Sequence, residues 1–187
     1  MPHIHTEPGQ HDVTISAYIV REIDGEWCGL VHMHKRIEKL MQIGGHLELN
    51  ETPMQCLAKE IREESGYAID ELDILQPSSV ALSLSWGVTQ PVALLSASFL
   101  QSQDHYHDDY MYVLAARQLP SGEPSEGEST DLRWLSLAAM RQAVYEGVIL
   151  PDALIIYEYI LGHIIDLCAA LPLSTFSEAL PETGHSR

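Results

Sequence analysis

The stretch from Gly44 to Tyr67 constrains the fold more than any other part of the sequence. Thr52 is a good helix N-cap, Pro53 suits the first helical position, and Gln55 completes a T-x-x-Q capping box. Gly66 can take the left-handed position that stops the same helix. At about 100° per residue, Met54, Leu57, Ala58 and Ile61 fall on one side, and a sheet must cover them. Glu60, Glu63 and Glu64 gather on a neighbouring side. Like charges at helical spacings of three and four repel by tenths of a kcal/mol each, and more when partly desolvated. Either this patch is a solvated acidic face or a cation sits in it. The helix is entered from Gly44-Gly45 and preceded by another acid, Glu51, and a turn of that kind can present a main-chain oxygen beside the carboxylates. Oxygen-only ligation suits magnesium or manganese, which keep waters and bridge to substrate phosphates.

Around this helix the chain alternates strands and helices. Asp12–Val20 and Trp27–His34 are rich in β-branched and apolar residues, with Asp24-Gly25 as the turn between them, so they read as a strand pair. Leu40–Ile43 is a further short run, and Val92–Leu100 and Tyr110–Ala116 are the better strand candidates beyond the helix. Turn signals lie at Gln76-Pro77, Gln90-Pro91 and Gln101 to Asp104. Pro120–Thr130 is a Pro/Gly/Ser/Glu loop, followed by a short strand around Leu132–Leu135, a helix over Leu137–Gly147 and a last helix over Pro151–Leu171. One domain over residues 12–171 is expected, with a loose lead-in at 1–11 and a frayed tail at 172–187. The mixed order suggests α/β layers around one sheet.

Asp and Glu total 27 against 10 Lys and Arg, a formal net charge of -17, so a basic nucleic-acid-binding face is not expected. A polyanionic substrate would need help from a cation. The N-terminus has neither a basic nor an apolar leader region, and the apolar stretch Val148–Leu173 is interrupted by Asp152, Glu158, His163 and Asp166, which does not suit a membrane span. Cys28, Cys56 and Cys168 are an odd number without CxxC spacing, which fits a reducing compartment. A cytoplasmic protein is expected.

The run Gly45-x5-Glu51-x7-Lys59-Glu60-Ile61-Arg62-Glu63-Glu64-Ser65-Gly66-Tyr67 resembles the Nudix box, G-x5-E-x7-R-E-U-x-E-E-x-G-U, in which U is a bulky apolar residue. Every fixed position but one matches. The resemblance implies a Nudix-like α/β/α sandwich with a mixed sheet. It also implies a hydrolase that cleaves a diphosphate linkage in a nucleoside diphosphate joined to another moiety. By position, Glu60, Glu63 and Glu64 correspond to magnesium ligands (manganese being the alternative ion), with the Gly44 carbonyl beside them. Glu60, Glu63 or a glutamate from a distal loop corresponds to the general base. Glu128 is the candidate distal carboxylate, a solvated loop residue being the plainer alternative. The departure is Lys59, where the family usually has an arginine that orients the adjacent glutamate. A non-catalytic, nucleotide-binding sensor is therefore the competing reading. Isopentenyl-diphosphate isomerases also resemble Nudix proteins, but use a Cys-Gly-His segment where this chain has Gly44-Gly45-His46, so hydrolysis is the better expectation.

Substrate clues are weaker. Lys35, Arg36 and Lys39 lie just upstream of the Gly-Gly turn and are placed to meet phosphates, or to form an ordinary charged turn. His46 adjoins the expected metal loop. His32 and His34 alternate onto one strand face, as do His105 and His107 if extended, and such pairs suit transition-metal binding or simple packing. Trp86 could stack on a base or pack within a loop. The apolar residues Leu154, Ile155, Ile160, Leu161, Ile164 and Ile165 suggest a homodimer through the last helix.

Overall fold

The computed structural model describes residues 7–77, 90–101 and 105–176. Trp86, residues 102–104, where a turn is expected, and the residues beyond Phe176 lie outside them. Among the described residues nine strands form a single mixed sheet: β1 (His11–Ile23), β2 (Glu26–His34), β3 (Lys39–Met41), β4 (Ile43–His46), β5 (Leu72–Gln76), β6 (Leu95–Gln101), β7 (His105–Ala116), β8 (Leu132–Ser136) and β9 (Ala169–Pro172). Helices α1 (Pro53–Ser65), α2 (Leu137–Tyr145) and α3 (Pro151–Tyr159) complete it.

The long strand β1 organises the sheet. It pairs in parallel with β7 from His11 to Val20, and on its other side antiparallel first with β4 and then with β2. The pleat alternates side chains between the two faces. On one face Ile15, Ala17 and Ile19 pack with Met54, Leu57 and Ile61 of α1. On the other, Tyr18 and Val20 pack with Met140 of α2 and Tyr157 of α3. Helices on both faces of a mixed sheet make the expected α/β/α sandwich. Helix α1 is capped as its sequence dictates: the Thr52 side chain accepts from the Gln55 N–H, and Gln55 Oε1 accepts from the Thr52 N–H. Gly66 closes the helix at φ 76°.

The C-terminal region departs from expectation. The last helix does not run to Leu171; after Tyr159 it passes into a π-turn at Ile160–Ile164 and ends at Leu167. Residues 169–172 then pair with β5, and Leu173 and Phe176 bury in the core beneath α1. Packed structure thus continues beyond Leu171, because two large apolar side chains found a place in the core that a composition rich in Ser and Pro did not advertise. The residues read as a dimer face are also used internally. Ile160 and Ile164 are buried, Leu154, Leu161 and Ile165 pack against the second core, and Ile155 alone of the six is exposed. Most of this apolar stripe therefore serves the chain's own core. No described helix is long and apolar enough to cross a membrane.

Candidate active site

Strand β4 ends in Gly44-Gly45-His46, and α1 lies directly against it. Gly44, with φ 153°, brings its backbone so close to β1 that an added Cβ would lie 2.3 Å from the Ile15 carbonyl oxygen. At Gly45 the same test places a Cβ 2.6 Å from Cδ of Glu60. The two glycines therefore do different work: the first lets β4 dock on β1, and the second leaves room for a carboxylate.

Two of the three clustered glutamates are buried rather than solvated. Glu60 is 4% and Glu64 7% exposed, while Glu63 is half-buried. Glu64 Oε2 accepts a hydrogen bond from the Gly44 N–H at 2.9 Å. Burial pushes the Glu64 carboxyl up to about 8; the Gly44 hydrogen bond works against this, and the charges of Glu60, Glu128 and Glu63 add to it. Burial likewise pushes Glu60 up to about 7, with Lys59 opposing and Glu63 reinforcing. Glu60 Oε1 has the Lys59 ammonium 3.6 Å away and no closer hydrogen-bond partner. A buried carboxylate oxygen without a donor is costly, and this donor set, all oxygen and rich in negative charge, is the kind a hard divalent cation fits. The glutamate oxygens are nonetheless not drawn into one tight cluster: Glu64 turns to Gly44 and Glu60 toward Lys59, which keeps the like charges apart.

Lys59 turns back toward the start of the box. Its Nζ donates to both oxygens of Glu51 at 3.1 Å and stands 3.6 Å from Glu60 Oε1. Burial works against its charge, but the hydrogen bonds and charge of Glu51, with Glu60 behind, hold its pKa well above the usual lysine range. An ammonium in this place bridges Glu51, ahead of the helix, to Glu60 on it.

His32 is a residue the sequence did not assign to this site. It stands on β2 with Nε2 3.6 Å from Glu64 Oε2, buried, and with neither ring nitrogen hydrogen-bonded. Burial, helped by His34, lowers its pKa to about 4. The contact with Glu64 therefore sets a neutral imidazole beside a carboxyl whose charge burial disfavours. Strand alternation put His32 and His34 on one face, but only the pairing of β2 into the sheet brings His32 to α1, and no local signal encodes that.

The Glu-rich loop folds over this region. The Ser125 N–H donates to the Glu63 carbonyl, and Lys35 Nζ donates to the Gly127 carbonyl. Glu128 is close enough that its charge acts on both Glu64 and His34. The expected distal carboxylate is thus near the glutamates, and Lys35 stands at the same rim with exposed Arg36 beside it. Lys39 instead donates to the Gly147 carbonyl, at the far end of α2. His46 does not join the glutamates. In extended β4 it pairs with Thr14 while Gly45 pairs with Ile15, so its ring lies on the other face of the sheet, edge-on to His107 at 5.0 Å. That parity could have been read from the sequence once Gly44–His46 was taken as a strand.

The sequence profile of the NUDIX domain matches residues 10–152. No curated protein matches in sequence. Among solved structures, a NUDIX-family hydrolase from Clostridium perfringens is similar at 25% identity and TM-score 0.65, covering 80% of this chain and 95% of its own. The C. elegans Ap4A hydrolase is similar at 14% identity and TM-score 0.55, covering 81% of this chain and 99% of its own. The NUDIX domain of Shewanella oneidensis NrtR, in complex with ADP ribose, follows at 11% identity and TM-score 0.57, covering 85% of this chain and 89% of its own. At such identities the last two share the fold alone.

Proposed function

Because this chain belongs to the NUDIX family, we propose that it hydrolyses a diphosphate linkage in a nucleoside diphosphate joined to another moiety, with Mg²⁺, or Mn²⁺ in its place, held by Glu60, Glu63, Glu64 and the Gly44 carbonyl. The observation that supports the reading is the burial of Glu60 and Glu64 beside the Gly44-Gly45 turn, where Glu60 Oε1 has the Lys59 ammonium no closer than 3.6 Å. When bound, the cation supplies neutralisation of the bridging phosphates and acidification of water.

The chain's own residues do the rest. The Gly44 N–H fixes the Glu64 carboxyl, and Lys59 positions Glu60 and Glu51 through its ion pairs. Glu63, the least buried of the three, faces incoming solvent and acts as the general base that takes the proton from the attacking water. Glu128 adds a carboxylate at the rim, and Lys35 and Arg36 meet the substrate phosphates there. A nucleotide is the favoured substrate because the acidic site must take a polyanion through a cation. A nucleoside diphosphate derivative gives the Lys35–Arg36 rim phosphates to hold. The cytoplasm, where the three free thiols Cys28, Cys56 and Cys168 would stay reduced, is the proposed location.

The test is a panel of nucleoside diphosphate derivatives with Mg²⁺, following release of phosphate or nucleoside monophosphate. Turnover in the wild type that falls about 10²–10⁴-fold in Glu63→Gln and Glu64→Gln, with the fold intact, is the expected result. Unchanged turnover in both variants overturns it. A second reading, nucleotide binding without turnover, rests on Lys59 standing where the family usually has arginine. Tight binding with no hydrolysis in either Mg²⁺ or Mn²⁺ would select it.

A further inference from the structure

On the sheet face opposite α1, a second set of metal-type side chains converges. Strands β1 and β7 run in parallel with Asp12 opposite His107. Two-residue alternation puts His105 on the same side as His107. Asp12, His105 and His107 are 2%, 4% and 6% exposed, and each offers a ligand atom within 4.8 Å of the others. His105 Nε2 lies 3.3 Å from His107 Nε2 and 3.7 Å from Asp12 Oδ2. Phe99 packs edge-on to His107 at 5.2 Å, and His46 lies on the other approach to the same ring.

Those distances have a chemical reading. A tetrahedral zinc ion with Zn–N bonds of about 2.05 Å separates two imidazole nitrogens by about 3.3 Å. The His105–His107 spacing already equals that edge, and Asp12 Oδ2 lies a few tenths of an ångström beyond it from His105. Imidazole nitrogens select a borderline transition ion over magnesium, and the Asp12 carboxylate supplies negative charge to a buried dication. Three protein ligands leave a fourth position open.

We propose that Asp12, His105 and His107 form a zinc-type site with one open coordination position beside His46, separate in donor chemistry and in sheet face from the glutamate site. An ion held there ties β1 to β7 at the start of their parallel pairing. It also links that pairing to β4, whose Gly45 adjoins Glu60.

The test uses the full chain, stripped with chelator and titrated with Zn²⁺ against a chromogenic chelator in millimolar Mg²⁺. One tightly bound equivalent is expected, retained in Glu63→Gln/Glu64→Gln and weakened by at least 10–100-fold in His105→Gln/His107→Gln and in Asp12→Asn. Equal zinc affinity in the wild type and the histidine variants overturns the proposal, since other histidines would then account for it. Should those variants fail to fold, the Co²⁺-loaded wild type decides. Intense visible bands of four-coordinate cobalt without thiolate charge transfer support the site. An octahedral spectrum, or a thiolate band pointing to cysteine, overturns it.

Discussion

Gly45 offers the sharpest perturbation of the glutamate site, because a single methyl group there meets the carboxylate and little else. In Gly45→Ala the new Cβ would start 2.6 Å from Glu60 Cδ and 2.7 and 2.8 Å from its two oxygens. Ordinary contact between such atoms is about 3.5–4.0 Å, so the carboxylate must retreat by about 1 Å. Gly45 does not have a left-handed backbone, so alanine is tolerated there, and the cost in stability is that of overpacking, about 1–3 kcal/mol. For a protein of this size that lowers Tm by about 2–4 °C per kcal/mol. Misplacing a reacting group by about 1 Å can cost 10²-fold, and this is the expected fall in kcat, equivalent to about 2.7 kcal/mol of transition-state stabilisation. The assay is steady-state hydrolysis with saturating Mg²⁺, alongside thermal unfolding. Gly44→Ala is the control: its Cβ meets the Ile15 carbonyl at 2.3 Å and its φ is 153°, so backbone must move and the loss falls mainly on Tm. A Gly45→Ala protein with wild-type kcat would refute the placement of Glu60 in the chemistry. Equal loss of Tm in the two variants would refute the division of labour between the glycines.

Lys59→Ala should reduce turnover and cost about 1 kcal/mol of stability, a figure discounted because the ammonium is part-exposed. Lys59→Arg should retain most activity, and equal kcat in Lys59→Ala and the wild type would show that the bridge between Glu51 and Glu60 is idle. Truncation after Leu171 should destabilise rather than trim, since Leu173 and Phe176 are buried and each is worth about 1.5–3 kcal/mol; an unchanged denaturant midpoint would contradict that. Burial pushes Tyr67 and Tyr112 up to about 12 from an ordinary value near 10. Because the folded values are raised, this stability is complete below pH 10 and is lost as pH climbs toward 12, by ~2 kcal/mol per tyrosine. Urea midpoints between pH 9 and 12 should therefore fall less steeply in Tyr112→Phe, and parallel curves would rule the effect out.

What the sequence made legible was local. Thr52, Gln55 and Gly66 announce the helix because caps act within three or four residues, and the structure has each of them in place. The glutamate spacing likewise follows from helical geometry alone. What it concealed depends on strands meeting across long separations. His32 reaches Glu64, and Asp12 reaches His105 and His107, only after β2, β1 and β7 are paired. Burial of Glu60 and Glu64 was not legible either, since the wheel set them beside the apolar stripe and only the close approach of β4 through Gly45 covers them. The role of residues 169–176 was missed because β9 gains its partner in β5, almost a hundred residues upstream. His46 adjoins the metal loop in sequence, but strand parity turns its ring to the other face of the sheet, beside His107.

The central claim is that the buried glutamates of α1 exist to hold a divalent ion. Crystals soaked in Mn²⁺ and measured at the manganese edge test it directly. An anomalous peak among Glu60, Glu63, Glu64 and Gly44 is the expected result, and featureless density there at millimolar Mn²⁺ would contradict the account.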